Sequence, residues 1–444
     1  MIYSFKAHDM KSKLKFDIEL EQGKRVYCFI GENGAGKTQL LENMGRALML
    51  AHKKIRQEKS GRGYRYLGEG FNFVGYLLSC DLSLNGFDMN FESDRPSNID
   101  YTKYHNVGEF VVKTDFYCDR PLCFISAENR GYAKNISSNP ELLTDAKDQF
   151  SRAVATSLTE MKCHVIFKYS DKNNKNIADW IATRAIMSPD TVQFDYKLVL
   201  AEVDLLFKIL SPLMPKELAL FDDYGKRLIR YEPVELYVAD TPIDKLPTGV
   251  ISLMRIMQEI ISCYGAWNGI LDEKERSDDI LQTEGIVFID EIEAHMHPKW
   301  QAEIIPLLKE SFPRTTFYVA THSPAIVATT EEGEAYELKR DGEDVTAQIL
   351  GNPKDWYLED LFSAGFDVRL PQKESQETIE DKILVFSKLG QEFTREKNKE
   401  NKNELKNKFT GMYQELSARF ESMPDQAKND PRRDAVEQIW EFAR

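Results

Sequence analysis

The feature that most restricts the fold of this chain is a glycine-rich loop near its amino terminus. Residues 31–38 read GENGAGKT and match the pattern G-x-x-x-x-G-K-[ST] throughout. Phosphate groups need several backbone N–H groups directed into one concavity, and glycines permit that geometry where bulky side chains would obstruct it. The run RVYCFI before the loop predicts a buried strand, and the spacing of TQLLENMGRALMLAHKK after it predicts a helix. Strand, glycine loop and helix in this order predict a site for a nucleoside triphosphate.

The loop also indicates what its residues do. Lys37 is expected to reach the β- and γ-phosphates, and the hydroxyl of Thr38 is expected to bind Mg²⁺. The amino terminus of the following helix favours negative charge at the same place. The remaining nucleotide-binding residues are expected to shape the backbone around the phosphates, and they are Gly31, Glu32, Asn33, Gly34, Ala35 and Gly36.

A second apolar run supplies the carboxylates that such a site requires. A P-loop enzyme holds Mg²⁺ with a carboxylate at the end of a strand. Residues 285–290, GIVFID, end in Asp290, and Glu291 follows directly. We therefore predict that Asp290 holds Mg²⁺ and that Glu291 is the general base that polarises the attacking water.

The residues after Glu291 leave more than one interpretation open. Residues 288–298 read FIDEIEAHMHP and contain Glu293, His295 and His297. Carboxylate and imidazole are zinc ligands, so a zinc site is one alternative, beside an acid–base pair and a contact surface. The phosphate loop favours a Mg²⁺ role for the first two acids, which weakens the zinc hypothesis.

A third predicted strand ends close to a histidine. Residues 316–320, TFYVA, are followed by Thr321, His322, Ser323 and Pro324. The proline prevents a helix from running through that point, so the imidazole of His322 would be directed toward the γ-phosphate. A lone histidine after a strand is more often a satisfied loop residue, but its position after the predicted Asp290 strand favours a catalytic part.

Composition limits the remaining classes of function. The 444 residues carry a net charge of -14, which argues against nonspecific binding of nucleic acid by the whole surface. A local basic patch for such a ligand stays an alternative. The six cysteines are scattered without a C-x-x-C pair, so structural zinc is not expected. The apolar runs are shorter than the roughly 20 residues that cross a bilayer, and the first residues show no secretory signal. We therefore expect a cytoplasmic protein without a membrane partner.

Together these motifs resemble those of the ABC-type ATPases, on their SMC-like and OLD-like branch. The resemblance rests on GENGAGKT, FIDEIEAHMHP and FYVATHSP, which occur in the family's order. It implies an α/β P-loop NTPase fold with ATP and Mg²⁺ as cofactors, in which a mixed, mainly parallel sheet is flanked by helices. We assign the ATPase head to residues 1–54 and 240–350, and inserted strands with a helical lobe to 55–239. A helical C-terminal extension at 351–444 is the region expected to bind partners or to support assembly.

The family also has a signature loop, usually L-S-S/G-G-E/Q, which opens a helix and binds the γ-phosphate held by the other subunit of a dimer. Its best counterpart lies at residues 246–250, LPTGV, where Thr248 and Gly249 keep a hydroxyl and a bare backbone at a helix start. Pro247 and Val250 depart from the family pattern, so an ordinary helix cap is the alternative.

Two further loops are implied by the same resemblance. The family's lid loop, which senses Mg²⁺, is matched to FISAENR, with a choice among Glu128, Asn129 and Arg130. The loop that crosses the family's dimer interface follows the two acids and here contains Glu293, His295 and His297. Each dimer would then hold two shared sites, so ATP would hold the subunits together and hydrolysis would release them.

Spacing and the C-terminal segment narrow the branch. In a compact transporter subunit the phosphate and signature loops lie closer in sequence than Lys37 and Thr248 do here, which argues against that class. The full SMC and repair ATPases carry long heptad segments, and this sequence shows none. Residues 351–444 lack the D-x-D pair of a Toprim nuclease, so no nuclease centre is expected in this chain. The segment GNPKDWYLEDLF resembles one in stand-alone ATPases of antiphage defence, first the PtuA ATPases of Septu and retron systems and then the AriA ATPases of PARIS systems.

Three hypotheses of function follow. In the first, a homodimer or higher homo-oligomer senses infection and controls an effector nuclease of HNH or Toprim type from an adjacent gene. In the second, an SMC-like ATPase acts directly on DNA in repair or chromosome maintenance. In the third, the chain is a regulatory NTP-binding module with slow turnover. A DNA or RNA ligand is left open in each.

Overall fold

The fold is that of a computed structural model, and it forms two compact units, Met1–Ile349 and Leu350–Arg444. Among the described residues, no helix is both long enough and apolar enough to span a membrane. The predictions on Asn129 and on residues 357–362 of GNPKDWYLEDLF lie outside the described residues. The described residues are 2–9, 12–50, 52, 56–60, 63–66, 72–74, 77–84, 87–93, 110–112, 118–128, 130–136, 146–162, 164–166, 176–185, 196–215, 218–226, 228–232, 235–356, 379–395, 399–421 and 431–443.

An eleven-stranded sheet organises the first unit. The described strands of this unit, those of the main sheet and those of three smaller sheets, are β1 (Ile2–Asp9), β2 (Lys15–Glu19), β3 (Val26–Ile30), β4 (Arg56–Ser60), β5 (Gly63–Tyr66), β6 (Asn72–Val74), β7 (Leu77–Leu84), β8 (Phe87–Ser93), β9 (Phe110–Val112), β10 (Leu122–Ile125), β11 (His164–Ile166), β12 (Ile229–Glu232), β13 (Glu235–Val238), β14 (Thr241–Pro242), β15 (Ile286–Ile289), β16 (Thr316–Ala320), β17 (Ala335–Asp341) and β18 (Asp344–Ile349). The main sheet has the order β10-β15-β16-β3-β17-β18-β2-β1-β7-β8-β9. Pairing is parallel from β10 through β17 and largely antiparallel in the rest of the sheet.

Helices connect the parallel strands, as a parallel sheet requires. In the first unit they are α1 (Lys37–Leu50), α2 (Ala146–Glu160), α3 (Ile177–Ala185), α4 (Tyr196–Leu210), α5 (Thr248–Ile270), α6 (Pro298–Ser311) and α7 (Pro324–Val327). In the second unit they are α8 (Ile379–Arg395), α9 (Lys399–Glu421) and α10 (Pro431–Ala443). The predicted α/β P-loop NTPase fold, with a mixed sheet flanked by helices, is confirmed.

A row of aromatic rings fixes the register of the four strands that carry the predicted motifs. Phe124, Phe288, Tyr318 and Tyr27 are direct cross-strand partners on β10, β15, β16 and β3. Successive ring centroids lie 6.0, 5.0 and 5.1 Å apart along this row. Because a slip of one residue would turn every ring to the other face, the row sets the four strand ends level.

The segment 55–239, predicted as an insert, contributes to the main sheet at both ends. Strand β10 pairs with β15 at one edge, and β7 pairs with β1 near the other. The four residues of β10 are apolar and buried, which suits a strand covered by α2 and α5. The main sheet therefore joins strands from 1–54 and 240–350 with strands from the predicted insert, and the division of the chain between head and insert stays a prediction.

The C-terminal unit has a small aromatic core of its own. Phe409 on α9 stacks on Phe386 of α8 with ring centroids 4.5 Å apart, and on Trp440 of α10 at 5.2 Å. The other buried residues of this cluster are Leu416, Phe420, Val436 and Ala443. The predicted helical C-terminal extension is thus a packed three-helix unit in its described part.

Candidate nucleotide-binding site

The carboxyl ends of four parallel strands meet at one edge of the sheet. Strand β3 leads into the phosphate loop (31–38), β15 into the acidic loop (290–297), and β16 into the histidine loop (321–323). Strand β10 ends beside β15 and is followed by residues 126–128 and the turn residues Arg130 and Gly131. Ligands of open α/β sheets bind at this edge, so the three motifs are brought together as their order predicts.

Glycines allow the phosphate loop to fit against the sheet. Gly31 and Gly36 have φ angles of +143° and +98°, which side chains rarely adopt. A Cβ atom at Gly31 would lie 2.8 Å from the carbonyl oxygen of Leu338, and one at Gly36 would lie 3.1 Å from Leu14 Cδ1. The loop therefore needs glycine for its backbone angles and also for its close contact with β17.

The ammonium group of Lys37 lies inside the phosphate loop. Lys37 is 7% exposed, and its Nζ donates to the carbonyl oxygens of Gly31 at 2.7 Å and Glu32 at 3.0 Å. Burial lowers the pKa of Lys37 to about 8, while the nearby carboxylates of Asp290, Glu293 and Glu291 raise it. The loop thus places a cation at the centre of its concavity.

Thr38 and Asp290 join the two halves of the site. Thr38 Oγ1 donates to the carboxylate of Asp290, at 2.9 Å from Oδ2 and 3.1 Å from Oδ1. Burial raises the pKa of Asp290, and the hydrogen bond from Thr38 lowers it in part. A hydroxyl and a carboxylate oxygen are ligands that Mg²⁺ prefers, so this donor set fits the predicted metal.

Glu291 differs from its neighbour Asp290 in both backbone and exposure. Asp290 is 6% exposed, whereas Glu291 is exposed and has a φ of +43°. A non-glycine residue in this left-handed region is uncommon. The turn in the backbone separates the two consecutive carboxylates, so that one faces Thr38 and the other is accessible to solvent.

Glu293 binds the histidine loop of its own subunit. Its Oε2 accepts from the hydroxyl of Thr321 at 2.6 Å, and its Oε1 accepts from the backbone N–H of His322 at 2.6 Å. Burial lowers the pKa of His322, and the charge of Lys37 lowers it further, while the carboxylates nearby raise it. The Glu293 carboxylate therefore has an intramolecular role that the sequence interpretation did not assign.

The two histidines of the acidic loop have separate contacts. His295 is exposed, and its ring lies so close to Gly131 that a Cβ atom there would be 2.6 Å from His295 Cγ. His297 Nδ1 accepts from the backbone N–H of Lys299 at 3.2 Å and thereby caps α6. Since Glu293 is turned to the histidine loop, these contacts do not converge on one point as zinc ligands would.

The predicted signature loop packs on the acidic loop of the same subunit. Thr248 is the first residue of α5 and is exposed, and Pro247 precedes it without a side-chain cap. Gly249 is buried, and a Cβ atom there would lie 2.7 Å from Trp300 and 2.8 Å from the carbonyl oxygen of His295. Glycine at this position is thus required by packing, while Thr248 remains accessible.

Two of the three lid-loop candidates, Glu128 and Arg130, are among the described residues, and their surroundings differ. Glu128 is exposed, whereas Arg130 is buried and donates to the backbone carbonyls of Asp290 and Glu291. Ser126, at the end of β10, donates to the carboxylate of Glu160. Sequence reasoning missed the contact of Arg130, because an arginine in a loop gives no indication of its backbone partner.

The chain is similar to several known proteins. The family model described as an AAA domain, putative AbiEii toxin, Type IV TA system, matches residues 275–328, which contain the acidic and histidine loops. The Septu protein PtuA of Bacillus mycoides (strain KBAB4) is 31% identical over 417 residues, 88% of this chain and 50% of that protein. The Retron Vc95 probable ATPase of Vibrio cholerae serotype O1 biovar El Tor is 24% identical over 384 residues, 74% of this chain and 70% of that protein.

Other similarities are shorter or more distant. The Retron Ec83 probable ATPase of Escherichia coli is 38% identical over 110 residues, 24% of this chain and 20% of that protein. The chain therefore spans about half the length of the PtuA relative and a fifth of the Ec83 relative. Among solved structures, an SMC head bound to the C-winged helix domain of ScpA is similar over 80% of this chain and 99% of that one, with 11% identity and a TM-score of 0.41. The recognition from the three motifs is thus confirmed: the chain is similar to the Septu PtuA protein and the Retron Vc95 ATPase over most of its length, and to the Retron Ec83 ATPase over a quarter of it.

Proposed function

We propose that this chain binds ATP with Mg²⁺ and hydrolyses it at the edge of the sheet where the three loops meet. The observation that carries the proposal is the hydrogen bond between Thr38 and Asp290, residues 252 positions apart in sequence. It brings a phosphate loop with a buried lysine to a strand-end carboxylate, and the two are the parts that a P-loop ATPase needs.

The residues present suggest a separate role for each group in the site. The phosphate loop and Lys37 bind the phosphates, and Thr38 with Asp290 would hold Mg²⁺, which offsets phosphate charge. Glu291 accepts the proton of the attacking water, since it is accessible and adjacent to the metal ligand. His322 contacts the γ-phosphate from the neighbouring strand end, where a lowered pKa keeps its ring neutral and able to donate one hydrogen bond.

ATP also holds two copies of the chain together in this proposal. Thr248 is exposed at the start of α5, a helix of 23 residues whose amino terminus attracts anions. His295 and His297 are exposed on the adjacent acidic loop. These three residues would face the partner, with Thr248 directed to the γ-phosphate in the partner's site.

The biological role is proposed from the relatives. Their names refer to Septu and retron systems, and the two retron relatives are described as probable ATPases. We infer that ATP turnover by a cytoplasmic homodimer or larger oligomer controls an effector nuclease of HNH or Toprim type in antiphage defence. In this proposal the nuclease centre belongs to the partner, and residues 351–444 are the proposed docking region for it.

A pair of lysine variants tests nucleotide binding. Lys37→Ala should abolish ATP binding and turnover, because it removes the cation from the phosphate concavity. Lys309→Ala is the matched control, since Lys309 is also largely buried but binds Glu331 and Glu334. Tight ATP binding by Lys37→Ala, measured by calorimetry, would show that the site lies elsewhere.

A second pair tests hydrolysis and dimer closure. Glu291→Gln removes the general base and leaves the phosphate-binding residues unchanged, so it should bind ATP with no turnover. It should therefore accumulate as an ATP-dependent dimer, which light scattering measures. Glu310→Gln, at an exposed position of α6, should behave like the wild type. An oligomeric state of Glu291→Gln that does not respond to ATP would contradict the shared-site dimer.

The effector and the nucleic-acid alternative are separated by purification. A defence ATPase should co-purify with the nuclease encoded beside it when both are expressed. A repair ATPase should bind DNA alone with a steep salt dependence, as neutralised phosphates predict. DNA binding by the isolated chain without any nuclease complex would favour the second hypothesis.

A further inference from the structure

One buried guanidinium binds the backbone behind the two acids of the site. Arg130 is 2% exposed and lies in the turn after β10. Its Nη1 donates to the carbonyl oxygen of Asp290 at 2.9 Å, and its Nη2 donates to the carbonyl oxygen of Glu291. Two consecutive peptide groups are therefore held by one rigid set of donors.

This contact lies where the backbone has its least common conformation. Strand pairing ends at Ile289, and the N–H of Asp290 still donates to the carbonyl of Ile125 at 2.9 Å. The next residue, Glu291, has a φ of +43°, a left-handed conformation that is unfavourable for a residue with a Cβ atom. Such a conformation persists where neighbouring groups determine it, and Arg130 fixes the carbonyls on both sides of this φ angle.

The same turn supports the other end of the acidic loop. Gly131 follows Arg130, and the ring of His295 lies against its bare backbone. His295 also has a positive φ, of +67°. The turn 130–131 therefore contacts both residues of the acidic loop that have left-handed backbones.

The cation is kept in a place that is unfavourable for charge. Burial lowers the pKa of Arg130 to about 10, and the carboxylates of Glu293, Asp290 and Glu291 raise it. Its Nε is buried and has no hydrogen-bond partner among the described residues. An apolar side chain would fill the same space at a lower desolvation cost but could not bind two carbonyls.

We propose that Arg130 is a positioning residue for the ATPase reaction: by holding the carbonyls of Asp290 and Glu291, it directs the Glu291 carboxylate to the attacking water. The inference rests on the proposed function of Glu291. Arg130 does not touch the nucleotide in this scheme, so its effect should fall on turnover and leave nucleotide binding in place.

The first test compares two buried arginines. Arg130→Lys supplies one donor group in place of the fork, and its kcat should fall about 100-fold, the order expected when a catalytic group is displaced by about 1 Å. Its affinity for ATP should stay within about threefold of wild type, because Lys37 and the loop amides are unchanged. Arg46→Lys is the matched control, since Arg46 is 1% exposed but bonds to Glu42, Asn43 and Met161. It should lower thermal stability without this selective loss of kcat.

The second test asks whether Arg130 acts through Glu291. In a Glu291→Asp background, which keeps a shorter and already displaced carboxylate base, Arg130→Lys should lower kcat by much less than its effect of about 100-fold in wild type, whereas general damage would add its full loss. Methylguanidinium should restore part of the rate of Arg130→Ala, and methylammonium should not. If Arg130→Lys does not fold, Arg130→Gln provides an uncharged variant that keeps one donor, and the same cycle applies.

The outcomes separate this inference from the proposed function. Suppose that the wild-type chain hydrolyses ATP. An unchanged kcat in Arg130→Lys and Arg130→Ala, or additive losses in the double-mutant cycle, would then overturn the positioning role and leave the ATPase assignment standing. A parallel loss of ATP affinity and kcat, without rescue, would also overturn it. A wild-type chain without turnover would overturn the proposed function and this inference together.

Discussion

Replacing Glu293 by alanine should loosen the histidine loop of an isolated subunit. The Glu293 carboxylate accepts two hydrogen bonds of 2.6 Å, one from the hydroxyl of Thr321 and one from the backbone N–H of His322. Thr321 is 0% exposed, so its hydroxyl would lose its acceptor in a buried environment. His322 is exposed, so its backbone N–H can donate to a water molecule in place of the carboxylate. Hydrogen bonds to a charged group contribute about 1.5–3 kcal/mol each. Since water replaces part of the second bond, we expect a loss of about 2–4 kcal/mol.

Hydrogen–deuterium exchange of peptides that cover residues 316–323 measures this loss locally. A loss of 2 kcal/mol or more should accelerate exchange by about 30-fold or more, at about 1.4 kcal/mol per tenfold. Glu293→Gln keeps one acceptor oxygen and should lose about 1 kcal/mol. Glu310→Ala removes an exposed carboxylate from α6 and should leave these peptides unchanged.

The measurement is made without nucleotide and at two protein concentrations. An intramolecular bond gives the same acceleration at both concentrations, while a contact across a dimer interface gives an effect only in the dimer. Exchange of Glu293→Ala within twofold of wild type in the monomer would refute the intramolecular role. Glu293 would then belong with His295 and His297 on the predicted interface.

Three further predictions concern other parts of the chain. Gly31→Ala should weaken nucleotide binding at least tenfold in calorimetry, because its Cβ atom would lie 2.8 Å from the carbonyl of Leu338 and its φ of +143° is strained. The unfolded chain should bind more protons than the folded one between pH 8 and 10.5, because burial lowers the pKa of Lys37 from 10.5 to about 8. Unfolding free energy should therefore rise with pH across this window, more in wild type than in Lys37→Met. Phe409→Ala should cost the C-terminal unit about 3–5 kcal/mol in denaturant titrations that follow exchange of residues 383–420, since it removes a buried stacked ring.

The three carboxylates of the acidic loop lie in different surroundings. Asp290 faces Thr38, Glu291 is accessible, and Glu293 binds the histidine loop. The left-handed φ angle of Glu291 lies between Asp290 and Glu293 and lets these side chains diverge within a few residues. Backbone conformations of this kind occur at functional sites, where the surrounding structure maintains them.

Local patterns in the sequence determined the parts of the site that depend on neighbouring residues. The strand before the phosphate loop and the helix after it form where apolar spacing places them, as β3 and α1 show. Runs of four or five apolar residues likewise predict β15 and β16. Because parallel strands end at one edge of a sheet, the order of the motifs was sufficient to bring Thr38 and Asp290 together.

Only the tertiary structure decided the contacts that join distant segments. Nothing in the local sequence of Arg130 indicates that its guanidinium reaches the carbonyls of Asp290 and Glu291, because side-chain to backbone contacts leave no pattern in either segment. The contact of Glu293 with the histidine loop follows a left-handed backbone at Glu291 that no residue type in the loop indicates. The pairing of β10 with β15 depends on burial on both faces, which a four-residue apolar strand allows with many partners. The sequence alone therefore predicted which motifs meet at the sheet edge, and packing determined how their residues are held.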